Sequence, residues 1–417
     1  MNVGTGRIFE DEGWTLADPQ AASPSLVRAV YENSQFTPRE DLKGLYRYAE
    51  WLPIKRTLRH SHAPVTYKSK GLAKILGMDN LYITLSGYCP RLGANMSTCS
   101  FKETEAFSVC ARMPKNCKRR LIVQSAGNTA RAFARVCSDN NIPVVICIPE
   151  DNKHDMWFTR KLRDCVKIIA APQGSDYYDA IALGDKLAQD PKYMLEGGAK
   201  NIARRDGMGT TLLSAVECIG RIPDAYFQAV GSGTGAIAVY ENNLRLIEDG
   251  RYGTHKMKIF VSQNKPFTLL HDSWKAGSRA LADLTPEESR KRSEMILAKV
   301  LSNRKPPYSL AGGLYDVLKD TDGDCFTASN DEIVSWIVRV MKAEGYDLLP
   351  AAATAVAAMA KALEQGQISH SDTVMLNITG AGMLQAMSKG YIEEEPLLVL
   401  DPALPAEEII AKVDALF

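Results

Sequence analysis

Between Arg120 and Leu195 short apolar runs alternate with longer stretches of helical spacing. RLIVQSA, IPVVICIP, VKIIAAP and KYMLEGG read as strands; NTARAFARVCSDNN, KHDMWFTRKLRDC and SDYYDAIALGDKLAQ between them read as helices. Strands that alternate with helices over short connections form a parallel sheet with helices on its faces. No other pattern in the chain constrains the fold so tightly. It defines a small α/β unit over roughly residues 119–197.

The chain has 417 residues, enough for two α/β domains. Residues 61–118 and 198–417 are expected to form the larger one. It begins with the helix KSKGLAKILG and the strand NLYITLSG. After residue 197 come the helix GTTLLSAVECIGRI, the strand AYFQAVG, the helix AIAVYENNLRLIEDG and the strand KMKIFVSQN. RKRSEMILAKVL is predicted as one helix inside a turn-rich stretch. DEIVSWIVRVMKAEG and AAATAVAAMAKALEQ are predicted helices, TVMLNITG a strand, and the tail PLLVLDPALPAEEIIAKVDALF a strand and an amphipathic helix. Residues 1–60, ending near GLYRYAEWLPI, read as an irregular segment packed on the body, and the smaller unit as mobile.

Composition narrows the function. The formal net charge is +1, which leaves no footprint for a polyanion, so nucleic acid is not an expected partner. No run of 18 apolar residues is available to span a membrane, and MNVGTGRIFEDEGW lacks the apolar core of a signal peptide. The nine cysteines form no CxxC pair and several sit in apolar runs, as expected of reduced core thiols in a cytoplasmic protein. The six histidines do not combine with cysteine at ligand spacing, so no metal site is expected. Asp320-Thr-Asp322-Gly-Asp324 imitates a calcium loop, but its glycine falls at the fourth position and the closing glutamate is missing.

Four stretches carry chemistry. Lys102 stands in NMSTCSFKETEAF, at the start of a helix that ETEAFSVCARM continues. A lysine amine bonds a carbonyl cofactor only when partly unprotonated; an apolar shell and the positive end of a helix both favour that form. Gly231, Ser232, Gly233, Thr234 and Gly235 lie between a strand and a helix, where backbone N–H groups close around a phosphate. A dinucleotide loop is the rival, but Ala236 breaks its spacing and the next strand ends in Gln263 and Asn264 instead of the ribose-binding acid. In SAGNT the Asn128 amide can donate to a phenolate oxygen, while the hydroxyls of Ser125 and Thr129 and the backbone amides can hold a substrate carboxylate. Taken alone, SAGNT reads slightly better as a plain helix N-cap. In NITGAG, Thr379 can face a ring nitrogen and leave it unprotonated, which suits loss of a β-leaving group; an ordinary turn is the alternative.

These four pieces, in this order, resemble the fold-type II pyridoxal-phosphate enzymes, the superfamily of tryptophan synthase β and threonine synthase. The likeness runs from GLYRYAEWLP at Gly44 to NITGAG, and both GLYRYAEWLP and ASNDEI at Ala328 look like threonine synthase signatures. The resemblance implies two parallel-sheet α/β domains with pyridoxal 5'-phosphate between them. It also implies that Lys102 bonds the cofactor and is catalytic, that Asn128 contacts the ring O3′, that Gly231–Gly235 hold the phosphate and that Thr379 faces the pyridine nitrogen. A cytoplasmic homo-oligomer, dimer or higher, is implied as well. Two departures stand out. Threonine synthases carry PTGSFKDR where this chain has MSTCSFKETE, and a Glu-Pro before Ser/Thr-Ala-Ala where it has Leu349-Pro350-Ala351-Ala352. Both lie beside the reacting amino acid.

Taken whole, the chain is most similar to the members that convert O-phospho-L-serine and sulfite to L-cysteate and phosphate in coenzyme M biosynthesis. By that likeness Lys102 is the general base at the substrate's Cα, and its substrates are small anions. Arg47, Arg160 and Lys161 are the cations expected to meet them. Threonine synthase chemistry on O-phosphohomoserine is the alternative, and an NAD-dependent dehydrogenase a more distant one.

Overall fold

A computed structural model describes every residue from Met1 to Phe417 except Ala126 and Asp176. The strands of its two main sheets are β1 (Val65–Lys68), β2 (Asn80–Leu85), β3 (Arg120–Gln124), β4 (Val144–Pro149), β5 (Val166–Ala171), β6 (Tyr193–Leu195), β7 (Ala225–Ala229), β8 (Lys258–Asn264), β9 (Asp324–Ala328), β10 (Thr373–Ile378) and β11 (Leu398–Val399). The first sheet has the order β1-β2-β10-β7-β8-β9 and the second β11-β5-β4-β3-β6. Only β1 runs antiparallel to its neighbour. Two parallel-sheet units are what the alternating patterns require.

Burial explains why the strands lack polar alternation. All six residues of β4 are buried, as are all six of β5 and of β10. A parallel strand covered by helices on both faces has no polar side to present. In the first sheet Phe227 pairs with Phe260 across β7 and β8, and their rings stack 4.7 Å apart. The alanine-rich helix Pro350–Glu364 lies on that sheet and buries ten residues; its small side chains permit the close approach.

Four helices position the site: α1 (Lys102–Arg112), α2 (Asn128–Asn140), α3 (Tyr177–Leu187) and α4 (Ile202–Ile219). A fifth, α5 (Thr234–Asp249), follows β7. α1 packs tightly on α4, where a Cβ on Gly207 would stand 2.4 Å from the Thr104 carbonyl oxygen. Only glycine allows that contact. The N-terminal segment adds the 3-10 helix Gly44–Trp51, which buries Leu45, Tyr46, Tyr48 and Trp51.

Three stretches differ from what the sequence led us to expect. KHDMWFTRKLRDC is not an α-helix: Glu150–Asp155 forms a 3-10 helix, and Trp157–Phe158 pairs antiparallel with Ile392–Glu393. Its buried residues Met156, Trp157 and Phe158 are consecutive, which suits a ribbon better than one helix face. RKRSEMILAKVL is also broken. The α-helix ends at Met295, because Ile296 buries in one apolar cluster while Ala298 and Leu301 bury in another. The tail, grouped by sequence with the larger unit, joins the second sheet instead. β11 pairs with β5, and Leu400, Ile409 and Val413 pack with Leu183 and Leu187 of α3. Those side chains cover an apolar face that residues 119–197 leave open.

Candidate active site

The loops that follow β3, β7 and β10 leave the carboxyl ends of parallel strands, where open α/β sheets place their ligands. They converge with the start of α1 on a cavity of about 240 Å³. Lys102, Ser125, Asn128, Thr129, Gly231, Ser232, Gly233, Thr234, Gly235 and Thr379 all line it. Gly127 of SAGNT lines it as well, while Ala126 lies outside the described residues.

Lys102 is the first residue of α1, as its sequence context predicts. The turn before it is stitched to the Thr379 loop. Phe101 N donates to Thr379 O at 2.9 Å, and Ala381 N donates to Cys99 O at 3.1 Å. Cys99 holds φ 58°, a left-handed conformation that costs on the order of 1–3 kcal/mol in a residue with a Cβ. The stitching keeps it there and so sets where Lys102 emerges.

Lys102 Nζ lies 3.1 Å from Oε2 of Glu105, one helical turn on. Glu105 has no exposed side-chain surface, and its Oε1 accepts from Thr129 Oγ1 at 2.9 Å and lies 3.4 Å from Arg204 Nη2. Arg204, on α4, grips Glu196 through Nε and Nη2, both at 2.7 Å. Burial pushes the Lys102 ammonium below the ordinary lysine value; Glu105 opposes that shift and Arg204 adds to it. For Arg204 burial works against the charge, but Glu105 and Glu196 outweigh it and hold the guanidinium above its ordinary value. The Thr129 hydroxyl gives its proton to Glu105. Its hydrogen is thus committed to Glu105 and not to the open cavity.

Asn128 opens α2, and its amide orientation is settled by a neighbour. Arg131 Nη2 donates to Asn128 Oδ1 at 2.6 Å, and a guanidinium can only donate, so Nδ2 is the group left for the cavity. Arg131 is held in turn by the carbonyls of Asp155 and Thr98 and lies over the Trp157 ring at 4.5 Å. The glycine loop closes against the segment from Lys299 to Asn303, which covers the cavity. A Cβ on Gly231 would stand 2.7 Å from the Val300 carbonyl oxygen. The loop runs into the N-terminus of α5, where free N–H groups and the helix dipole favour an anion.

An amine on one wall, an oriented amide donor, a neutral hydroxyl and a glycine cradle at a helix N-terminus fit a phosphate-bearing aromatic aldehyde. Sequence reasoning missed Glu105, Arg204, Glu196 and Arg131. Glu105 was discoverable, since a position three after Lys102 shares its helix face; Arg204 carried no local signal. The three cations expected to serve the substrate do not line the cavity. Arg47 pairs with Glu217, and Arg160 reaches Asp139 at 3.1 Å from an exposed position. Lys161 is exposed.

Glu103, next to Lys102, is buried and accepts from Thr98 N and Oγ1 at 2.6 and 2.9 Å. Burial pushes its carboxyl up to about 7. The folded chain therefore binds this proton more tightly than the unfolded chain, and that stability is lost as pH rises from the unfolded value through 7. Glu103→Gln is expected to raise stability by on the order of 3 kcal/mol at about pH 9 and by little at about pH 4. Urea midpoints at the two pH values check this; an equal change at both would refute it.

Residues 63–380 match the family described as pyridoxal-phosphate dependent enzyme. The chain is 45% identical to the cysteate synthase of Methanocella paludicola over 391 residues, 92% of this chain and 90% of that one. It is 42% identical to the cysteate synthase of Methanosarcina acetivorans over 392 residues, 92% and 93% of the two chains. Among solved structures, threonine deaminase isoform 2 from Solanum lycopersicum superposes with a TM-score of 0.59 at 17% identity, covering 88% of this chain and 99% of that one. Maize serine racemase does so with a TM-score of 0.58 at 17% identity, covering 79% and 92%. The architecture is that of the fold-type II enzymes, and the chain belongs to the pyridoxal-phosphate-dependent enzyme family and, within it, to the cysteate synthases.

Proposed function

We propose that this protein is a pyridoxal-phosphate-dependent β-replacement enzyme that converts O-phospho-L-serine and sulfite to L-cysteate and phosphate, a step of coenzyme M biosynthesis. The observation that carries this reading is the match to named cysteate synthases over nine-tenths of both chains. The cavity geometry supports it.

Pyridoxal phosphate, when bound, supplies an electron sink for the charge left on the substrate's Cα and so lets phosphate depart from Cβ. The remaining work belongs to this chain. Lys102 would hold the cofactor through Nζ and, when that nitrogen is free, takes the Cα proton on it. Asn128 Nδ2 would donate to the ring's phenolate oxygen, and the N–H groups of Gly231–Gly235 would hold the cofactor phosphate. Thr379 would present a neutral hydroxyl to the ring nitrogen, which would keep the sink moderate and favour loss of a β-leaving group. Ser125 and the amides at the start of α2 hold the substrate carboxylate. After sulfite has replaced phosphate at Cβ, Lys102 returns the proton to Cα. The cavity lies between the two sheet units, so approach of residues 119–197 to the larger unit shuts out water.

We further propose a cytoplasmic homo-oligomer. No helix among the described residues is long and apolar enough to cross a membrane. Val334, Val338 and Met341 form an exposed apolar stripe on the helix Asn330–Glu344, a surface suited to self-association.

The test is product analysis. The purified, cofactor-loaded protein is expected to release cysteate and phosphate in equal amounts from phosphoserine plus sulfite. Threonine from phosphohomoserine, with no cysteate from the first pair, would move the chain to threonine synthase chemistry.

A further inference from the structure

Of the groups that meet in the cavity, Glu105 has no task in the scheme above, yet its geometry ties it to the reacting nitrogen. Its Oε2 lies 3.1 Å from Lys102 Nζ, and its side chain has no exposed surface. Three charged groups act on this nitrogen from the elements packed around it: Glu105 from α1, Arg204 from α4 and Glu196 from the segment after β6. Tyr177, at the start of α3, lines the same cavity. Arg204 does not neutralise Glu105 fully. Its fork is committed to Glu196 by two bonds of 2.7 Å, against 3.4 Å to Glu105. Arg204 and Thr129 both reach Oε1, which leaves Oε2 to Lys102.

We propose that Glu105 is a catalytic residue, the counter-ion that stabilises the proton on Lys102 Nζ while it is away from the substrate. The inference rests on the role proposed above for Lys102. When Nζ takes the α-proton, the Cα–H bond breaks, its electron pair stays with the substrate, and an N–H bond forms. The nitrogen becomes an ammonium on a largely buried side chain. Glu105 Oε2 meets that charge at hydrogen-bond distance. Its other oxygen, held by Thr129, prevents the carboxylate from swinging away. When the proton returns to Cα, Nζ is neutral again and free to bond the cofactor.

The experiment compares the cofactor-loaded parent with Glu105→Gln. It follows the absorbance of the lysine-bound cofactor against pH, together with kcat and KM. Removing an anion beside a protonated nitrogen disfavours the charged form, so the spectral midpoint is expected to fall by about 1–3 pH units. The kcat is expected to drop at least about tenfold while KM for phosphoserine stays within about threefold. An unmoved midpoint with unchanged kcat overturns the proposal and leaves Glu105 a packing residue. Should Glu105→Gln fail to fold, Glu105→Asp withdraws the charge by one methylene and must shift the midpoint in the same direction by less; no shift there overturns the proposal equally. Absence of a lysine-bound band in the parent would instead sink the functional reading itself, so the two failures are told apart.

Discussion

Lys102→Ala is expected to yield a folded protein that has lost the lysine-bound cofactor band and at least about 10²–10⁴ of its kcat. Two functions vanish with one side chain: the covalent anchor and the base at Cα. The fold should survive. Lys102 is the outermost member of a charge cluster, and its removal leaves Glu105 beside Arg204 at 3.4 Å with the Thr129 bond intact. The cradle and the Asn128–Arg131 pair are untouched, so the variant should still bind pyridoxal phosphate without bonding it. Spectra before and after borohydride reduction report the bond, and stopped assays of cysteate report the rate. A small primary amine added to the buffer should restore part of the proton transfer. Turnover within tenfold of the parent would remove Lys102 from the chemistry.

The second large effect lies one residue from Arg204. Arg205 points instead into the contact between α4 and α5, where Nε bonds Glu241 Oε2 at 3.0 Å; the two side chains are 0% and 4% exposed. Its remaining donors go to the carbonyls of Ala199 and Val27, which tie the N-terminal segment to the same helix. Glu241→Ala strands a guanidinium without solvent and is expected to cost about 3–5 kcal/mol. The double change Arg205→Met with Glu241→Leu removes both charges and should cost less than the single one. Denaturant midpoints of the two variants decide this, and a single change milder than the double would contradict it. Because α4 carries Arg204 and α5 begins in the glycine cradle, the single variant should also bind cofactor more weakly.

The parts of the site that the sequence alone determined are those whose chemistry is local. A lysine opening a helix, an asparagine opening another and a glycine loop between strand and helix follow from a few adjacent residues, because hydrogen bonding and backbone freedom act over short spans. The strand and helix periods are local too, and they led to two parallel sheets with loops at their carboxyl ends. ASNDEI behaves likewise, since Ser329 and Glu332 close a capping box.

Only the tertiary structure decided where charge is buried. Glu105, Glu196 and Arg204 lie far apart or unremarked in the chain, and they become one cluster because α1 packs on α4 at Gly207. The tail's place on the second sheet and the ribbon at Trp157 arose the same way. An isolated segment can show which face is apolar, but what covers that face depends on distant chain. A charge's partner and its proton affinity depend on that covering, through desolvation and distance. Lys102 was therefore visible as a nucleophile from sequence, while the burial of its neighbour Glu105 and the reach of Arg204 to it were not.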